Sequence, residues 1–139
     1  MKFLEQITAA VAAGDRETTR TQLSALWEQA ADDSQSRCVI AHFLADVQDE
    51  TADELAWDLR ALELAEDEHW LPSLHLSLAD DYRRLGDTSR AGEHLSAARD
   101  RLGLLGDDAY GDVIRGGVDH VAAALAAGST GRLETNPSS

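Results

Sequence analysis

Apolar residues recur at intervals of three and four along nearly the whole chain, the spacing of one face of an α-helix. The clearest run lies between Pro72 and Leu105. Leu74, Leu78, Tyr82 and Leu85 follow at four, four and three, which predicts one helix. Pro72 stands in its first turn, where a missing N–H costs nothing. Gly86 follows the last apolar residue, where a chain leaving a helix adopts a left-handed conformation. Asp87 then suits the N-cap of a second helix, whose stripe is Ala91, Leu95, Ala98 and Leu102. Gly103 and Gly106 close the unit.

Fainter copies of this helix-turn-helix pattern fill the rest of the chain. In residues 2–31, Phe3, Leu4, Ile7, Ala10 and Val11 form one stripe ending at Gly14-Asp15, and Leu23, Leu26, Trp27 and Ala30 form the next. Gly14-Asp15 and Gly86-Asp87 lie 72 residues apart, twice a 36-residue period, and at that offset Leu23 matches Leu95 and Leu26 matches Ala98. In residues 36–66, Leu44-Ala45-Asp46 matches Leu78-Ala79-Asp80 at an offset of 34, and Leu59 and Leu62 match Leu95 and Ala98 at 36. The intervening turn, Asp49 to Ala52, lacks the glycine; Thr51 and Glu54 have capping-box spacing instead. Tyr110, Val113, Ile114, Val118, Val121 and Leu125 predict a helix over 107–127 that covers the apolar end of a hairpin stack. Gly116-Gly117 marks an expected kink. Residues 129–139 are polar and expected to be disordered. The pattern predicts one all-α domain over 1–128, three hairpins (2–31, 36–66, 71–102) and a capping helix, resting on Leu44, Leu59, Leu78, Tyr82 and Leu95.

Leu78-Ala79, Tyr82, Gly86-Asp87, Ala91, Leu95 and Ala98 resemble the tetratricopeptide repeat (TPR), a helix-turn-helix of about 34 residues. The resemblance is best over 72–105. Ala79 stands where the family favours glycine, Gly103 where it usually ends in proline, and His75 replaces the large aromatic near the repeat start. The resemblance implies an α-α superhelix acting as a protein-binding adaptor, with a concave groove lined by the first helix of each hairpin. That lining would comprise Leu4, Thr8 and Val11, then His42, Asp46 and Asp49, then Leu76, Asp80, Arg83 and Arg84. Family members that grip a carboxylate do so with cations and amides where this chain has His42, Asp46 and Asp49, so that activity is not implied.

Charge narrows the partner. The net charge of the 139-residue chain is −14, which opposes binding to a nucleic-acid backbone or an anionic membrane surface. Residues 35–70 hold ten acids and two arginines, a net of −8, while residues 71–106 hold five of each. A protein or peptide with a basic patch and an apolar anchor would complement such a groove, with Arg83 or Arg84 taking a carboxylate. Replacing both arginines by glutamate is then expected to abolish capture without unfolding the protein. A chain this long buries about two thirds of its unfolded surface. No apolar run reaches the roughly 18 residues that span a bilayer, no secretory leader is visible and the single Cys38 cannot form an internal disulfide; a cytoplasmic location is the expectation.

Candidate chemistry is sparse. Cys38, His42 and Asp46 share one helix face at spacings of four but supply at most three metal ligands, one of which must be a thiolate. Cys38 lies in the apolar run Cys38-Val-Ile-Ala and reads as an inert buried thiol. No phosphate-loop, zinc-protease or nucleophile-elbow pattern occurs. The reading is therefore a non-enzymatic interaction module without cofactor or metal. Its alternatives are a self-associating homodimeric module and a peptide-sensing regulatory domain.

Overall fold

The computed structural model describes residues 3–133, and among these the chain is all-helical, with seven α-helices and no strand. The helices are α1 (Leu4–Val11), α2 (Arg16–Gln29), α3 (Ser34–Asp46), α4 (Thr51–Leu64), α5 (Leu71–Arg84), α6 (Thr88–Asp100) and α7 (Ala109–Ala126). None of the described helices is long and apolar enough to cross a membrane. Where the periodicity predicts a single domain, the chain divides into two compact units, Met1–Glu66 and Asp67–Ser139. The first holds α1 to α4, the second α5 to α7.

In the first unit, α2 packs on α1 and α3, and α3 packs extensively on α4. Ile7, Ala10, Leu23, Leu26, Ala30, Val39, Ile40, Leu44 and Ala61 are buried. The turn between α1 and α2 is made by Gly14 at φ 78°, a conformation that strains an L-residue. Asp15 then accepts a hydrogen bond from the Thr18 amide and caps α2. The second unit repeats this device. Gly86 has φ 81°, and Asp87 accepts from the Arg90 amide to cap α6. The Asp87 amide reaches back to the Tyr82 carbonyl at 2.9 Å and the Gly86 amide to Arg83 at 3.0 Å, so the last carbonyls of α5 are satisfied. The junctions inferred from the 72-residue offset thus share a left-handed glycine followed by an aspartate N-cap.

The core of the second unit is Leu76, Ala79, Leu95, Ala98, Ile114, Val118 and Val121, contributed by α5, α6 and α7. Alanine at positions 79, 91 and 98, all fully buried, lets the helix backbones approach closely. Asp108 caps α7 through the Gly111 amide at 2.8 Å, and the helix runs unbroken through Gly116 and Gly117.

Several apolar residues face solvent where the periodicity placed them in stripes. Leu4 (53% exposed), Val11 (42%), Leu59 (40%), Leu85 (46%), Tyr110 (41%) and Val113 (40%) are exposed. Leu59 is a correction to the expected core. The inward face of α4 is Glu54, Asp58 and Ala61, all buried, one position away from the apolar alignment. Glu50, not Thr51, holds the N-cap position of α4, and the Glu50 side chain makes no capping hydrogen bond. Of the expected disordered tail, Ser129 to Leu133 belong to the described structure; residues 134–139 lie outside it.

Candidate protein-interaction surface

The ten residues expected to line a groove are scattered over several places. Asp80, Arg83 and Arg84 lie on one side of α5, as their i, i+3 and i+4 spacing requires, but they are turned inward. Arg83 donates from Nε (3.0 Å) and Nη2 (2.7 Å) to Asp80 Oδ1. Arg84 Nε meets Asp80 Oδ2 and its Nη2 meets Asp81 Oδ1, both at 3.0 Å. Side-chain exposure in this four-residue network runs from 1% to 6%. The two arginines expected to receive a partner's carboxylate are thus held by carboxylates of their own helix. Removing one member leaves a buried charge uncompensated, so the double glutamate variant is no longer a fold-neutral probe. Leu76 is in the hydrophobic core.

His42 is buried as well. It faces α4, with Nδ1 3.7 Å from Asp58 Oδ1, and both side chains are at most 6% exposed. One turn earlier, the Cys38 thiol donates to the Ala61 carbonyl at 3.2 Å, and burial, with a smaller contribution from Glu66, pushes its pKa up to about 11. Cys38 and His42 therefore engage separate groups on α4. Among the described residues no group of three or more His, Cys, Asp or Glu side chains is placed to hold a metal ion.

Asp46 is half-buried and Asp49 exposed. Asp49 Oδ1 lies 3.2 Å from Arg16 Nε and 3.4 Å from Arg20 Nη2. The same arginines donate to backbone carbonyls of that turn, Arg16 to Gln48 at 2.5 Å and Arg20 to Val47 at 2.6 Å. The turn between α3 and α4, which has no glycine, is therefore braced from α2. No local pattern at residues 47–52 announces this, because the bracing residues lie 27 to 33 positions earlier.

Leu4, Thr8 and Val11 remain on the surface, one face of α1 at spacings of four and three. Thr8 is exposed and donates its hydroxyl to the Leu4 carbonyl at 2.8 Å. This stripe and Asp49 are what stays open to a partner from the expected lining.

Two aromatic clusters complete the inventory. Trp27 and Trp57 meet edge to face with centroids 5.0 Å apart. Arg37 lies 4.1 Å over the Trp27 ring and Arg60 4.6 Å over Trp57, and Arg37 also donates to the Trp27 carbonyl. Both tryptophans thus act in packing the first unit. In the second, the Nδ1 atoms of His75 and His94 are 3.0 Å apart, and the Tyr82 ring stacks on His94 at 5.5 Å. Burial, with His94 and Arg101 adding, lowers the His75 pKa to about 4, and burial also lowers that of His94. One ring donates and the other accepts only while the pair shares a single proton.

Compared with known proteins, the chain matches no family model, no curated protein and no solved structure. Its class rests on its own geometry.

Proposed function

We propose that this chain is a non-enzymatic, tetratricopeptide-like module that binds a protein partner, and that α1 supplies the contact. The observation that carries the reading is the exposed stripe of Leu4, Thr8 and Val11, with Leu4 and Val11 more than two-fifths exposed. Large apolar side chains aligned on one helix face are suited to receive another helix or an extended segment. The repeat class is supported by the paired Gly14-Asp15 and Gly86-Asp87 junctions, alike in φ and in capping. The partner's chemistry follows from charge. With residues 35–70 at a net of −8, an apolar anchor flanked by lysine or arginine complements this stretch of the chain.

The test is affinity capture from a native lysate at low and high salt, using wild type and the Leu4→Asp/Val11→Asp variant. Both positions are exposed, so the variant is expected to melt like wild type. A partner lost from the variant and weakened by salt supports the reading. A partner retained by the variant refutes the α1 surface. A concentration-dependent mass above 15.0 kDa that the same variant abolishes would assign the stripe to a homodimer instead.

A further inference from the structure

Arg83 makes two contacts that its network on α5 does not require. Beyond Asp80, its Nη1 donates to the Ser129 carbonyl at 2.7 Å and its Nη2 to the Gly131 carbonyl at 2.8 Å. Those acceptors lie 46 and 48 residues away in sequence. They belong to a short strap that leaves α7 at Gly128 (φ 71°), its first amide bonded to the Ala124 carbonyl at 3.0 Å. Two residues past Gly131, Leu133 packs against the core cluster of α5, α6 and α7. Ser129, Thr130, Gly131 and Arg132 are exposed.

The strap is therefore held by what any peptide can offer: two backbone carbonyls two residues apart, and one aliphatic side chain two residues further on. The holding group exists before the strap arrives, because Asp80 binds both Nε and Nη2 of Arg83 while Arg84 occupies the other carboxylate oxygen of Asp80. With the strap in place the guanidinium is only 1% exposed, so its remaining N–H groups depend on the strap carbonyls, and leaving a buried donor unmet costs about 1–3 kcal/mol. A donor pair fixed by Asp80 beside an apolar cluster is a peptide-binding arrangement.

We propose that Arg83 and the adjoining core face form a second binding site for a peptide segment, held through two backbone carbonyls two residues apart and chosen by an aliphatic side chain two residues further on, and that Ser129 to Leu133 is its resident, displaceable ligand. A partner segment of that chemistry enters by exchanging with the strap. The site is separate from the α1 stripe, and the failure of either leaves the other standing.

The test uses the full chain. A fluorescein-labelled peptide of residues 128–139 is titrated into wild type and into Leu133→Asp, with anisotropy as the readout. In wild type the tethered strap competes at an effective concentration in the millimolar range, so the free peptide is expected to bind the variant at least about tenfold more tightly. A peptide carrying the same Leu→Asp change is expected to bind neither protein. Leu133→Ala, the gentler lesion, should give the same ordering with a smaller ratio. Absent or equal binding in variants that keep their helical circular dichroism overturns the proposal. Loss of the helical signal in both variants overturns it as well, since the strap would then be an integral part of the fold.

Discussion

The α3–α4 and α5–α6 hairpins are built from helices of 13 and 14 residues, yet they reverse the chain and bury charge by opposite means. The α5–α6 hairpin closes its own turn and pairs its own ions, although Arg83 also donates to the distant Ser129 and Gly131 carbonyls. Its turn is closed by its own Gly86 and Asp87, and its buried ions pair along one helix at i, i+3 and i+4. The α3–α4 hairpin borrows. Its turn is braced by Arg16 and Arg20 of α2, and its buried Asp58 faces His42 on the neighbouring helix. A hairpin whose polar needs are met locally can be read from sequence spacing. One whose needs are met from elsewhere reads as degenerate.

The largest test of that contrast is Arg83→Ala. It strips Asp80 of its closest partner in a site where both side chains are at most 6% exposed. Breaking a buried pair from one side costs about 3–5 kcal/mol, and urea denaturation should report a loss of that order. An effect below about 1 kcal/mol would mean that the α5 network is wetted and rearranges, so that pairing along this helix does not carry the hairpin's stability.

Next in size is a pair of truncations. Leu78 is fully buried and Leu59 is 40% exposed. Leu78→Ala is expected to cost about 2–5 kcal/mol, the range for a core leucine. Leu59→Ala should stay within about 0.5 kcal/mol, as for a surface site. Equal losses on thermal melting would restore the apolar alignment of α4 and displace Glu54 and Asp58 from its inward face.

The residues show where sequence reading succeeds and where it stops. Helix positions, the Gly-Asp turns and the interiors of α5 and α6 follow from spacing, because capping and i, i+4 packing are properties of a few consecutive residues. The side of α5 that carries Asp80, Arg83 and Arg84 was equally legible. What spacing could not convey is that this side is covered, since Arg83 is roofed by carbonyls more than 40 residues away. Leu59 misled for a related reason. An apolar-for-apolar alignment cannot anticipate a helix that turns two acids inward, one of them, Asp58, facing the buried His42 of the neighbouring helix. The α1 stripe was expected on a partner-facing surface, and Leu4 and Val11 are exposed.

The smallest expected effects separate the two turns. Gly86→Ala forces an L-residue into φ 81°, with nothing within 4 Å of the added methyl group. The cost is then purely conformational, about 1–2 kcal/mol. Asp49→Ala removes the carboxylate shared by Arg16 and Arg20, but those ion pairs are 36–70% exposed, and such pairs contribute about 0.2–1 kcal/mol. The arginines keep their bonds to the Gln48 and Val47 carbonyls, so the brace survives the loss of its charge. Measured by chemical denaturation in the same buffer, Gly86→Ala should therefore exceed Asp49→Ala, and added salt should shrink only the latter. The reverse order would place the stability of the α3–α4 turn in the ion pairs. A turn without glycine would then depend on charge, and the α3–α4 hairpin would loosen at high salt while α5–α6 would not.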